Sequence, residues 1–365
     1  FIIVGLLFLV YLTNVEGFSG TSAGIIVFIG KARAAIICAT VPALITGAFT
    51  NPQKAYLVMG LAFGTLFAIC WLSVFVGTLE NQMKPVPAVS LKDWLSVIKN
   101  RSFRIYVTVF ILCQMAIDTV LTLAVYFLTV SLQKEELFVV IMGSILATQL
   151  IFIGIFSHVA QKTDKTTPAY ISAAVWIAAS FAVIFFSSAT PAFIVISTCA
   201  LIGVGSAGLN LFSWSALPDI ADVDELITGR RREGLHAGVS TFLRKLSEGV
   251  VVGVLGIALD VIGYSKEALG TGNISPATDW GIRVLFCVLP FTFLIFALLF
   301  LRMYKLGRQE FNIMSNILNR YRAGETDISI EGEELTICRQ LTGLKDGRFY
   351  GTDRAPDPHI LIKSL

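Results

Sequence analysis

Charge is what this chain has least of. Only 15% of its 365 residues are Asp, Glu, Lys or Arg, against about a quarter in a soluble domain. That shortfall excludes an ordinary water-facing surface. Histidine is scarcer still: His158, His236 and His359 lie far apart and form no ligand cluster. The six cysteines (Cys38, Cys70, Cys113, Cys199, Cys287 and Cys338) show no CxxC and no metal spacing. Most sit inside apolar runs and read as packing residues. A net charge of +3 is too small to point to nucleic acid. There is no HExxH, no GxSxG, no Walker loop and no paired Cys/His site, so no enzyme reading competes. The chain opens on Phe1 without a Met or a basic n-region. That fits a missing N-terminal portion better than a signal peptide.

What is abundant is apolar length. Hydrophobic residues make up 55% of the chain and mean hydropathy is +0.76. About nine apolar stretches stand out, roughly 1–13, 21–49, 54–78, 103–131, 136–159, 168–187, 191–217, 236–263 and 280–304. Crossing a bilayer takes about 20 such residues. The expected fold is an all-α polytopic membrane protein with about nine spans.

Basic residues set the orientation. Lys84, Lys92, Lys99, Arg101 and Arg104 cluster before the fourth stretch. Lys162 and Lys165 follow the fifth, Arg230 to Arg232 the seventh, and Arg302, Lys305 and Arg308 the last. The connections between them hold one Lys or none. The later spans therefore alternate, with the tail cytoplasmic in a bacterial-type inner membrane. The first two stretches break this parity, and Lys31 and Arg33 fall near the middle of the 29-residue stretch 21–49. An odd number of missing spans, joined near Lys31–Ala35, cures both faults. A long tilted helix with its basic pair in a wet cavity is the alternative.

Polar residues at membrane depth are functional candidates. Gln114, Asp118 and Thr122 recur every fourth residue and so share a helix face. Gln114 and Thr122 serve equally well as packing glue, whereas a lone carboxylate at Asp118 favours function. In "LIGVGSAGLNLFSWSALP", Gly203, Gly205 and Gly208 permit close helix contact. Asn210 and Trp214 share a face that suits a sugar or polyol. In "HAGVSTFLRKLSEGVVVGVLG", Thr241, Lys245 and Glu248 share a face. Lys245 lies about ten residues into its span, about 15 Å deep. Arg244 beside it snorkels or pairs elsewhere.

The loop "PDIADVDELITGRRREG" packs five acids and three arginines into seventeen residues. Asp219, Asp222 and Glu225 form an acidic face if the helix continues. Arg230 to Arg232 can bridge to it or to neighbouring inner loops, a charged latch at the cytoplasmic mouth. A plain solvated loop is the bland reading.

This loop, followed by "STFLRKLSEG", resembles the inner loop and eleventh helix of the glycoside–pentoside–hexuronide:cation symporters (the melibiose permease type) of the major facilitator superfamily. The family pattern D-x-x-D-x-x-E, T-G, R-x-E-G and a later Lys is met by Asp219, Asp222, Glu225, Thr228, Gly229, Arg231, Glu233, Gly234 and Lys245. "YLVMGLAFGTLFAICWLSVFVGTLE" resembles the family's sixth helix. The resemblance implies a major facilitator-type bundle of which about three helices of the first half are missing. It also implies Lys245 and Thr241 beside a cation site. Arg33 matches either a second-helix residue or the fifth-helix arginine that meets the sugar. The family's second-helix acidic motif falls on Ala34–Ala39, where both acids are absent.

The expected organisation is an incomplete first bundle at 1–78, a cytoplasmic linker at 79–102, a six-helix bundle at 103–304 and a tail at 305–365. Phe311, Met314, Ile317 and Leu318 make an amphipathic helix expected along the inner membrane face. Beyond Ala323 no motif appears. The expected function is secondary transport, a glycoside-like solute moving with Na+ or H+ by alternating access, possible loss of activity in this shortened form included. A lysolipid carrier or a non-transporting remnant are the alternatives. No cofactor beyond the coupling cation is expected. The partners are the solute and the bilayer, with no nucleic acid, and the chain is expected to act as a monomer.

Overall fold

The computed structural model describes residues 51–77, 91–264, 275–323 and 330–344, with isolated positions at 45, 48, 49 and 325. The expected span at 1–13, nearly all of 21–49, Arg33 and the Lys31–Ala35 join lie outside the described residues. Every regular element among the described residues is helical. The chain divides into two compact units, residues 1–87 and 88–365.

The first unit contributes α1, Pro52–Gly77. Its start follows from Asn51-Pro52. The Asn51 side chain accepts the Gln53 N–H at 2.9 Å, and proline at the first helical position loses no bond. Twenty-six residues span about 39 Å, enough to cross a bilayer.

The second unit begins with the short amphipathic α2, Leu91–Lys99. Asn100 then caps α3, Arg101–Tyr126, accepting from the N–H groups of Ser102 and Phe103. A π turn, Phe127–Leu132, extends α3 and ends at Gln133 in the left-handed region. The bundle continues with α4 (Phe138–Lys162), α5 (Thr166–Val183) and α6 (Ala192–Ser215). Pro218 has no N–H for the carbonyl of Trp214, so α6 gives way at Ala216 to a separate α7, Leu217–Thr228. Gly229, at φ 65°, closes α7 in the left-handed conformation glycine accepts without cost. Then come α8 (Glu233–Val261) and α9 (Pro276–Leu301), the latter capped by Ser275.

Five helical stretches are long and apolar enough to cross a membrane by composition: Arg101–Leu132, Glu135–Lys162, Thr166–Val183, Ala192–Thr228 and Pro276–Leu301. With α8, whose charged residues interrupt its hydropathy, these match the expected spans of the second half within a few residues, except that Ala192–Thr228 includes α7 and runs eleven residues past the expected end at 217. Large apolar side chains such as Val139, Ile151, Phe185 and Phe193 are exposed, which suits contact with lipid tails rather than water.

The core forms where α6 is wedged against α4 and α5, and where α3 packs on α9. Glycine makes the wedge possible. A Cβ on Gly203 would collide with Thr148 and the Ile145 carbonyl of α4. One on Gly205 would stand 2.5 Å from Trp176 Cβ of α5. One on Gly208 would strike Ser172 and the Pro168 carbonyl.

The tail corrects one expectation. Helix α10, Arg308–Arg322, is amphipathic as its spacing predicts, but Met314, Ile317 and Leu318 are buried. Its apolar face is spent on α7 and α11, not on the membrane surface. Helix α11, Gly332–Thr342, lies in a stretch without a legible motif, yet Ile337, Cys338 and Leu341 are buried. The Ser102 hydroxyl donates to the Leu341 carbonyl at 2.5 Å, so α11 is anchored to the start of α3.

Candidate functional site: a polar chain through the bundle

Two helices bring charge together at mid-depth, and a third adds an amide. Asp118 lies near the middle of the span Arg101–Leu132, and Arg244 lies eleven residues into α8, about 16 Å from its start. The Arg244 guanidinium meets the Asp118 carboxylate through two bonds, Nη1 to Oδ2 at 2.7 Å and Nη2 to Oδ1 at 2.8 Å. Its Nε donates to Gln114 Oε1 at 3.0 Å. Gln114 Nε2 donates in turn to Asn210 Oδ1 of α6 at 3.2 Å. The chain of bonds therefore runs α8–α3–α6. Below Asn210, Trp214 packs edge-on against Phe110 of α3, ring centres 5.6 Å apart. Asp118 is buried and the Arg244 side chain is only 21% exposed. Such a fork-to-fork pair holds its two helices in one register, and removing either partner strands a charge in the membrane.

Lys245, one residue on, turns the other way. Its side chain is 73% exposed on this unit and donates to Glu248 Oε2 at 2.9 Å. Glu248 also stands 3.6 Å from Arg244 Nη1. The two cations thus share one carboxylate, one cation facing inward and one outward. Thr241, one turn before, is exposed as well.

At the basic end of the bundle, α7 carries its acids into a ring of cations. Asp219 accepts from Lys165 at 2.6 Å, and Lys165 also donates to the Ser215 carbonyl. The fully buried Asp224 accepts from Nε and Nη2 of Arg232, each at 2.8 Å. Arg232 also donates to the Ser96 hydroxyl of α2. Arg322, the last residue of α10, reaches Glu225 at 2.6 Å and Asp222 at 3.0 Å. These carboxylates, Glu225 first, raise the already high pKa of the Arg322 guanidinium, so it stays charged.

A family model described as MFS/sugar transport protein matches residues 20–308, well over half of the chain. The chain belongs to this family. An uncharacterized symporter of Synechocystis sp. is 26% identical over 239 residues, 63% of this chain and 43% of that protein. The sodium-dependent lysophosphatidylcholine symporter 1 of Gallus gallus is 22% identical over 272 residues, 73% of this chain and 51% of that protein. A Salmonella typhimurium protein provisionally named a sulfoquinovose importer is 26% identical over 296 residues, 78% of this chain and 60% of that protein. The chain spans about half the length of the curated relatives it matches.

Of the residues singled out in the sequence, Gln114, Asp118 and Asn210 come together, with Trp214 beside them. Lys245 and Thr241 face away from that group, and Arg33 lies outside the described residues. Asp219, Asp222 and Glu225 form the acidic side of α7, but Arg231 bonds to Glu233, two residues on, rather than to that side. The sequence reading does not single out Lys165, Asp224 or Arg322; it counts Arg232 among the latch arginines, which the structure joins to Asp224 of α7, and it leaves Arg244 to snorkel or pair elsewhere. Arg244 had a signal. The buried positions His236, Val239, Ser240, Ser247, Val251, Leu255 and Leu259 recur at three or four, and Arg244 falls in that stripe while Lys245 falls 100° off it.

Proposed function

We propose that this chain is a cation-coupled secondary transporter for a small polar solute of the glycoside class, working by alternating access. The observation that carries the reading is the Arg244–Asp118–Gln114–Asn210 chain across three membrane helices. A structural salt bridge alone needs no amide relay and no exposed second cation on the same helix. Membership of the sugar transport family supports the solute class, and the relatives named as symporters support coupling to Na+ or H+. The basic loops support a cytoplasmic position for α7, α10 and α11.

The test is uptake into proteoliposomes made with the chain, with labelled methyl-galactoside outside and an inward Na+ or proton gradient. Gradient-driven uptake that falls at least tenfold in Asp118→Asn is expected. No gradient-driven uptake, or equal uptake by the variant, refutes the reading. The sodium-dependent lysophosphatidylcholine symporter among the relatives favours one second reading, a lysolipid carrier. Gradient-driven uptake of labelled lysophosphatidylcholine in place of the glycoside selects it.

A further inference from the structure

One buried titratable group stands outside the mid-depth chain. His236 lies in the first turn of α8 and is fully covered, at 0% exposure. Its Nδ1 stands 3.0 Å from the Arg232 carbonyl. A carbonyl only accepts, so Nδ1 carries the ring proton of the neutral form. That leaves Nε2 as a bare lone pair, and among the described residues no hydrogen bond reaches it. What it faces instead is Asp224 Oδ1 of α7, 3.9 Å away. The same oxygen accepts from Arg232 Nη2, while Oδ2 accepts from Arg232 Nε, each at 2.8 Å. From α3, Phe103 meets the ring edge-on, ring centres 5.2 Å apart. From α2, Ser96 accepts from Arg232. The neighbouring acids are taken up: Glu225 of α7 pairs with Arg322, and Glu233 of α8 accepts from Arg231.

A polar atom buried without a partner is costly to keep, and the two protonation states of this ring differ sharply. Neutral, His236 leaves the Arg232–Asp224 pair undisturbed, with one idle lone pair beside it. Protonated, it sets a second cation beside a carboxylate already bonded twice and beside the Arg232 guanidinium, where solvent does not reach. Once α7 and the start of α8 part, the ring is hydrated and takes its proton at the ordinary pKa of about 6.5. Protons therefore bind more readily to the parted state, and lowering the pH through that value favours it. We infer that His236 is a proton-sensitive catch at the α7–α8 corner, closed at neutral pH and released at acidic pH. The corner gives the catch something to hold, since only Gly229 and the exposed Arg230 and Arg231 link the end of α7 to Arg232. The catch does not rest on the transport reading, because none of its residues belongs to the Arg244–Asp118 chain.

The test is hydrogen–deuterium exchange of the full chain in detergent at pH 7.5 and pH 5.5. Mass spectrometry reads the peptide covering Leu217–Thr228, corrected for the intrinsic pH dependence of exchange. The protonated share of an ordinary histidine sets the size of the effect, so the opening of α7 should rise about tenfold from the higher pH to the lower. His236→Gln keeps a donor for the Arg232 carbonyl and cannot be charged. His236→Phe fills the same space against Phe103. Both variants should lose the pH dependence, and should one of them fail to run as a single species on size exclusion, the other decides. Equal corrected exchange at the two pH values in the unaltered chain overturns the catch. A tenfold rise that persists in a folded variant overturns it as well.

Discussion

Replacing Arg244 with Gln should destabilise the second unit far more than its single position suggests. The side chain makes two bonds to Asp118, at 2.7 and 2.8 Å, and a third to Gln114 at 3.0 Å. Asp118 is 11% exposed at its side chain, so the bare carboxylate left behind has little water to turn to. Breaking a buried pair from one side costs about 3–5 kcal/mol. The 21% exposure of the Arg244 side chain argues for the lower end, about 3 kcal/mol. At about 2–4 °C per kcal/mol for a domain of this size, the apparent melting temperature falls by about 6–12 °C. Asp118→Asn combined with Arg244→Gln removes both charges and leaves two amides that can still bond. The double variant should recover most of the loss and sit within about 1 kcal/mol of the starting protein. Lys245→Gln, on the exposed side of the same helix, should change stability by less than about 1 kcal/mol. Fluorescence-detected size exclusion after stepwise heating in detergent reads all four proteins. A double variant no more stable than the Arg244→Gln single, or a Lys245→Gln loss as large, refutes the assignment of Arg244 as the buried cation.

Arg232→Ala strands the fully buried Asp224 and should cost about 3 kcal/mol or more, recovered in part by adding Asp224→Asn; the same heating assay decides. Gly205→Ala sets a methyl 2.5 Å from Trp176 Cβ and 2.9 Å from the Ser172 carbonyl. It should lower stability by about 1–3 kcal/mol, and an unchanged melting curve would show that α5 and α6 can part cheaply. Burial pushes the Cys338 thiol up to about 12, so at pH 7.5 it is protonated as well as covered, and maleimide should label it slowly. Arg322→Glu reverses the charge that α10 offers to Asp222 and Glu225 and should speed that labelling several-fold by loosening the tail, as read by mass spectrometry of the Cys338 peptide. Equal rates would mean that apolar contacts alone hold the tail in place.

The helices were legible because each needs about 20 uninterrupted apolar residues, and few other folds produce such runs. The stretch 103–131 anticipated Arg101–Leu132 with little error, and the expected end at 217 falls where α6 gives way to α7. Four-residue spacing also put Gln114 and Asp118 on one face, which the structure confirms by giving both to Arg244. The cation itself was harder to choose. Arg244 and Lys245 are adjacent, and only the stripe of buried positions along α8 tells which of them looks inward. The partners of α7 were harder again. Lys165 and Arg322 stand 54 and 97 residues from the acids they meet. No local spacing encodes such contacts. The tail was misread for a related reason: an amphipathic helix shows that one side wants to leave water, but not whether lipid or protein receives it.

The glycines of α6 fix where this unit can deform. At Gly203, Gly205 and Gly208 the α6 backbone lies almost against the α4 and α5 backbone, with only Thr148, Trp176 and Ser172 side-chain atoms pressed beside it. Sliding one helix past another there forces atoms through each other, so α4, α5 and α6 translate and tilt as one block. The seam between α3 and α8 is different in kind, because its central contacts are ionic and amide groups at the ends of long side chains rather than closely packed backbone. Any opening of this bundle therefore begins along α8, and the three glycine-bound helices act as the fixed frame against which it moves.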